Sequence, residues 1–412
     1  MSIDVKMAWR NIWRNPRRTV LTIAAIAFAC LLLVFMLSFQ FGSYETMINS
    51  SVKIHTGHLQ VQSMGYHEKK SIRLVVPDPD AVAKILDQIQ SVEAYTHRAN
   101  AFSLVSSKKR TYGGIVSGID PDKEAKVSTL KSLIRKGRYL SKDDTDQVLL
   151  GHLLAENLKI DIQDEVTLLG QGLDGSVAAT VAKVKGIYSS GIDDLDRSSI
   201  HMPLKYFQDV YGMHGAVHEV IVTANSLKTV DEIKSFVNKE INKISPKSPL
   251  VVLDWKELTP GLVQSIQLDL VSGIIFYFLL ILVVAFSILN TFLMVIFERT
   301  REFGVLKAIG ITPGRLTKLL LLESMSMTMI GIMAGIFGGC LITLYFQGHG
   351  IDISGASDIL VQYGISGRIF PRLSLLSALS GPAIVFMITF LAALYPAFKI
   401  RSLRPVEAMT HV

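Results

Sequence analysis

The sequence predicts an integral membrane α-helical protein with four transmembrane helices and a large external α+β domain between the first and second spans. Three observations lead there. A mean hydropathy of +0.38 with 49% hydrophobic residues is high for a soluble chain of 412 residues. Four apolar stretches, 19–41, 268–297, 319–346 and 373–398, are long enough to cross a hydrocarbon layer of ~30 Å, which takes ~20 helical residues. Between the first two, residues 44–267 are mixed polar and apolar with turn residues throughout, which is the size of a domain.

Residues 1–18 place Trp9, Ile12 and Trp13 among arginines and read as a short amphipathic helix along the membrane interface, where tryptophan is favoured. A simple topogenic flank explains the arginines equally well. Pro16 is expected to end or kink this element. The stretch 19–41 follows Arg10, Arg14, Arg17 and Arg18 as a signal peptide would, but it is long and lacks a small-x-small cleavage site, so it reads as an uncleaved span. Lys6 and those arginines, then Arg299, Arg301, Lys307, Arg315 and Lys318, then Lys399, Arg401 and Arg404 all flank span ends on one side. That side is predicted to be cytoplasmic, with both termini on it. The net charge of +7 is then mostly topology and not a nucleic-acid signal. Cys30 and Cys340 lie within spans, so the external domain holds no disulfide.

In the external domain, strands are expected at Val52–Gln62, Ala99–Val105, Gly113–Val116, Gln147–Leu150, Glu165–Leu169, Ala178–Ile187, Ser199–Met202 and Glu219–Thr223. Helices are expected at Asp80–Gln90, His152–Lys159, Leu204–Tyr211 and Val230–Ile241. The search for chemistry there returns no catalytic and no metal site. His55 and His58 on a strand would not share a face, His214 and His218 lack a third ligand, and Asp193, Asp194 and Asp196 read as a solvated turn. The chain has no Gly-Lys dipeptide, hence no Walker A phosphate loop, so any ATP would be bound by another chain.

Leu258–Leu268, with Pro260 in its first turn, can extend the second span outward as a stalk. Residues 298–318 then form a charged handle. Thr300–Ile309 reads as a short helix with Phe303, Val305, Leu306 and Ile309 on its apolar side and Arg301, Glu302 and Lys307 supplying charge. Gly310 ends it, and Thr312 and Pro313 open the next helix. In the third span Gly331, Gly335 and Gly339 form an i, i+4, i+8 row that allows close helix packing, and Glu323 needs a partner, for which a basic residue of the handle is the simplest account. Residues 347–372 make a smaller external loop. Gly381-Pro382 is expected to kink the last span before the tail at 399–412.

WRNIWRNPRRTVLT before the first span, ERTREFGVLKAIGITPGRL after the second and LYPAFKIRSLRPVEAM after the fourth resemble the FtsX/MacB superfamily (type VII, mechanotransmission) of ABC transporter permeases. QVLLGHLLAENLKIDIQDEVTLL and GIDISGASDILVQYGISGRIFPRLS resemble the lipoprotein-releasing LolC and LolE permeases most closely. The resemblance implies an inner-membrane permease whose external part is a periplasmic MacB-like core domain. It implies a homo- or heterodimer served by two copies of a separate ABC ATPase that binds ATP and Mg, with Arg301–Gly310 as the coupling helix. It further implies a cavity between the first and second spans that takes a lipoprotein or similar amphiphile, for which Ile26, Leu33, Leu37, Ile274, Phe278 and Ile281 are the available apolar linings, and transfer to a periplasmic carrier. A lipid-facing role explains those six residues equally well. MacB-like export of peptides or toxins, and FtsX-like signalling to a cell-wall hydrolase, are the alternatives.

Overall fold

The computed structural model of the protein describes residues 3–244, 249–352 and 368–402. It divides into a membrane unit, drawn from Met1–Tyr44, Ile266–Asp352 and the residues from Ile369 onward, and an external unit based on Glu45–Ser265. Residues 353–367 of the expected smaller loop and 403–412 of the expected tail lie outside the described residues.

In the membrane unit a short helix spans Ile3–Ile12. Ala8 and Ile12 are buried while Trp9 and Trp13 stay exposed. Pro16 does not terminate this helix. It opens the first long helix, Pro16–Ser51, at the position where a missing N–H costs nothing, and Thr19 Oγ1 donates to Ile12 O at 2.6 Å across the turn. The second long helix runs unbroken over Pro260–Ala308 and takes in the stalk, the span and the handle. The separate short helix expected at Thr300–Ile309 is therefore its last turns. The change from apolar to charged residues alters the solvent each turn meets but not helix propensity, because Glu, Arg, Lys and Leu all favour helix. Only Gly310, at φ +98°, breaks the backbone. The third helix, Pro313–His349, starts from Thr312, and the fourth, Leu375–Ser402, continues through Gly381-Pro382.

Close approach of the first and third helices rests on the glycine row. A Cβ at Gly331, Gly335 or Gly339 would fall 2.9 Å from Ile26 Cβ, 2.5 Å from Cys30 Cβ and 2.9 Å from Val34 Cβ, respectively. Gly381 admits Leu33 in the same way, and Ser38 Oγ donates to Ser377 Oγ at 2.9 Å. The small residues exchange side-chain volume for backbone proximity, which in a bilayer gives dispersion contact that apolarity alone cannot.

Among the described residues the external unit contains ten strands: β1 Leu59–Ser63, β2 Val92–Ser106, β3 Thr111–Ile119, β4 Ile134–Gly137, β5 Gln147–Gly151, β6 Glu165–Gln171, β7 Val177–Tyr188, β8 Ser199–Pro203, β9 Glu219–Ala224 and β10 Leu250–Asp254. The long β2 serves two layers. Its first half pairs with β9, which continues through β1 to β10; its second half pairs with β3 on one side and β6 on the other. Passing β3, β8, β5, β7 and β6, the strands return to β2 and close a six-stranded barrel, which leaves no free edge within the ring. Val105, Val116, Leu150, Val166 and Val184 lie in the core it shares with Phe207 and Tyr211. The β10-β1-β9 layer packs a second core against the helices Pro79–Leu86 and Val230–Ile244.

The sequence reading of Val52–Gln62 as one strand is corrected. Val52–Thr56 forms a single π turn continuing from the first long helix, and only Leu59–Ser63 is strand. Gly57 separates them at φ +68°, where an added Cβ would lie 2.3 Å from Ile221 Cγ2. Strands β4 and β10 were not legible in the sequence.

Candidate coupling site

The charged turn is organised by Phe303. It is 1% exposed and packs with Leu316 and Leu320 of the third helix, with Leu306 and Ile311 closing over it. The Arg299 guanidinium carbon lies 5.3 Å from the centre of its ring. The apolar side assigned to one partner surface is thereby split. Phe303 and Leu306 face inward and hold the two helices together, while Val305 is 43% and Ile309 75% exposed. Arg301 and Val305 on the last turns of the second long helix, and Ile309 just after its end, stand four residues apart and are exposed, with Lys307 in the same last turn and Gly310 following Ile309.

Acidic and basic groups lock this turn to its neighbours. Arg299 bridges two carboxylates, donating from Nε to Glu302 Oε2 at 3.1 Å and from Nη1 to buried Glu323 Oε2 at 3.3 Å. Glu302 also accepts a bidentate pair of hydrogen bonds from Arg14, and Arg18 Nη1 donates to Glu298 Oε2 at 2.5 Å. The hydrogen bond from Arg14 holds the Glu302 carboxyl below its usual range against partial burial, with Arg299 adding to it. Glu302, named from sequence as a coupling residue, is thus occupied within the chain. Arg14 and Arg18 were read only as topology signals. Their spacing of four matches that of Glu298 and Glu302, and that match is the signal that could have paired them.

The cavity residues separate as well. Ile26 and Leu33 are buried and, with Leu37, face Gly331 and Gly381 of the third and fourth helices, in a core that also takes in Ile281 and Ile288 of the second. Ile274 and Phe278 are exposed. Phe278 and Ile281 instead border an apolar groove of about 280 Å³ formed with Leu282, Phe286, Ile388 and Ala392 of the second and fourth helices.

In the external unit His58 and His218 are buried and hydrogen-bonded, whereas His214 is exposed. His58 lies between Asn49 Oδ1 and the Ala224 N–H, and His218 between Ile72 O and the Asn100 N–H. Among the described residues no group of His, Cys, Asp and Glu could hold a metal ion. The acidic stretch is not a solvated turn: Asp193–Ser198 is a short helix, and buried Asp196 accepts from Ser190 N at 2.9 Å and Ser190 Oγ at 2.7 Å.

Residues 19–239 match the MacB-like periplasmic core domain and residues 274–405 the FtsX-like permease C-terminal family. The chain is 23% identical over 317 residues to the lipoprotein-releasing system transmembrane protein LolC of Xylella fastidiosa, covering 74% of each chain. It is 22% identical over 430 residues to an uncharacterized ABC transporter permease, YknZ, of Bacillus subtilis, covering 99% of this chain and 98% of that one. The macrolide export ATP-binding/permease protein MacB of Nitrobacter winogradskyi is 24% identical over 410 residues, 96% of this chain and 58% of the relative. With four helices long and apolar enough to cross a membrane, and a family match to more than half of its 412 residues, the chain belongs to the FtsX/MacB family of ABC transporter permeases.

Proposed function

We propose that this permease subunit couples ATP hydrolysis by a separate ABC ATPase, which binds the ATP and Mg, to movement of its external domain. The family is one of non-enzymatic permease subunits. The observation that carries the reading is the exposed row of Arg301, Val305 and Ile309 at the end of a helix that runs without a break from Pro260 to Ala308. A hydrogen-bonded helix resists axial deformation, so a push on its last turn is delivered along its length. The ATPase docks on this row at the cytoplasmic face of the inner membrane, with both termini on that side. Two permeases and two ATPases make the assembly.

The cargo is a lipoprotein or similar amphiphile, a reading supported by the LolC relatives. An acyl anchor buried at ~0.8 kcal/mol per methylene does not leave a bilayer unaided at a useful rate. The MacB relative and the MacB-like core domain favour a second reading, export of peptides or toxins. Ile309→Asp should lower co-purification of the ATPase by about tenfold or more, as loss of one central apolar contact does, with the permease still inserted. Unchanged association would overturn the docking assignment. Stimulation of hydrolysis by added lipoprotein supports the first cargo, and stimulation only by soluble peptides supports the second.

A further inference from the structure

The first long helix, whose last residues belong to the external unit, ends in a turn whose carbonyls are taken up by other groups of that same unit. In the π turn Val52–Thr56, the Thr129 N–H donates to Lys53 O at 2.9 Å, Gln60 Nε2 donates to Thr56 O at 2.8 Å, and Arg98 Nη1 donates to His55 O. Arg98 is 1% exposed and sits on β2 where that strand passes from the open layer to the barrel, opposite Ile119 of β3 and Glu219 of β9. The rest of its guanidinium fork goes to fully buried Glu124, from Nε to Oε2 at 3.0 Å and from Nη2 to Oε1 at 2.5 Å. Glu124 lies on the helix Pro121–Val127 that follows β3. One side chain therefore joins the end of the first long helix, the strand shared by both layers, and the helix Pro121–Val127 that packs against β2 and β9.

A buried ion pair is a poor way to gain stability, since apolar residues of similar volume often serve as well or better. An apolar pair cannot hold a particular carbonyl. A planar guanidinium can, because it offers its donors in a fixed fork. We propose that Arg98, held by Glu124, is a positioning residue that fastens the π turn at the end of the first long helix to β2 and the helix Pro121–Val127 within the external unit, so that movement of the helix reaches the barrel instead of being absorbed in that turn. This rests on the reading of the protein as a permease that moves its external domain.

The test uses the full chain in phospholipid nanodiscs, with Cys30 and Cys340 replaced by alanine and spin labels at Ser50→Cys and at Val181→Cys on the exposed side of β7. Without nucleotide the label-to-label distance distribution should be narrow. In the double variant Arg98→Leu/Glu124→Leu, which removes both charges together, it should broaden about twofold while the external unit still melts cooperatively, because the turn is then free to sample other geometries. A folded double variant with unchanged width overturns the proposal. Should that variant not fold, Arg98→Lys decides: its single ammonium keeps the charge opposite Glu124 but cannot also reach His55 O in a fork, so broadening supports the fastening and an unchanged width overturns it. The width is read without ATP or ATPase, so failure of the transport reading, which shows in the association assay, is separable from failure of this one.

Discussion

Arginine and glutamate meet in both units, with opposite consequences. Arg98 and Glu124 are enclosed in the external unit, whereas the Arg18 and Glu298 side chains at the charged turn are 25% and 42% exposed. Burial raises the Glu124 carboxyl and the facing Arg98 charge and hydrogen bonds lower it, and the second effect wins, leaving it below its ordinary range. In low dielectric the pair is fixed because neither partner has water to fall back on. Arg18 and Glu298, by contrast, can each exchange the partner for solvent at small cost. The same chemistry is a fastener where water is excluded and an adjustable latch where it is not.

Three experiments sharpen that contrast. Glu124→Ala leaves a buried guanidinium unpaired and should cost the external unit about 3–5 kcal/mol, roughly 10 °C of melting temperature for a unit of this size, read by calorimetry. A loss below about 1 kcal/mol would mean that water reaches the pair. The next effect comes from His201. Burial first, and the nearby Arg98 charge second, push its imidazole down to about 4. Between pH 6.5 and about 4 the unfolded chain takes up a proton that the folded unit refuses, so stability falls as pH falls, by on the order of 3 kcal/mol over that window. Melting curves of the wild type and His201→Phe should diverge there, and parallel acid limbs would refute the assignment. The smallest effect belongs to Arg18→Ala, which should change stability by less than about 1 kcal/mol and should reduce the difference between low and high salt at the turn, where the Arg14–Glu302 pair remains. A loss comparable to that of Glu124→Ala would erase the contrast.

Much of the fold was legible because periodicity and charge report solvent. The four apolar stretches coincide with helices, and the helix at Leu204–Tyr211 and the strands starting at Gln147, Glu165, Ser199 and Glu219 begin where alternation or helical spacing begins. β4, with Arg135 and Lys136, carries no apolar alternation because it pairs on one side only, with β7. The π turn was misread because Val52, Ile54 and Thr56 alternate as a strand would. At the charged turn, the sequence marked Phe303, Val305, Leu306 and Ile309 as one apolar set, yet their division into inward and outward pairs depends on where Leu316 and Leu320 return.

By itself the sequence determined the composition of each layer: which segments enter an apolar phase, where Gly310 and Pro313 reverse the chain, and that no phosphate loop is present. These are local properties, set by side-chain transfer energies and backbone preferences within a few residues. The tertiary structure alone decided which partners meet. Arg98 finds Glu124 and the His55 carbonyl, Arg14 finds Glu302, and β6 closes the barrel on β2, across separations in sequence that no local preference records. Local preference cannot rank such pairings, because the free energy of each depends on burial that exists only once the others have formed.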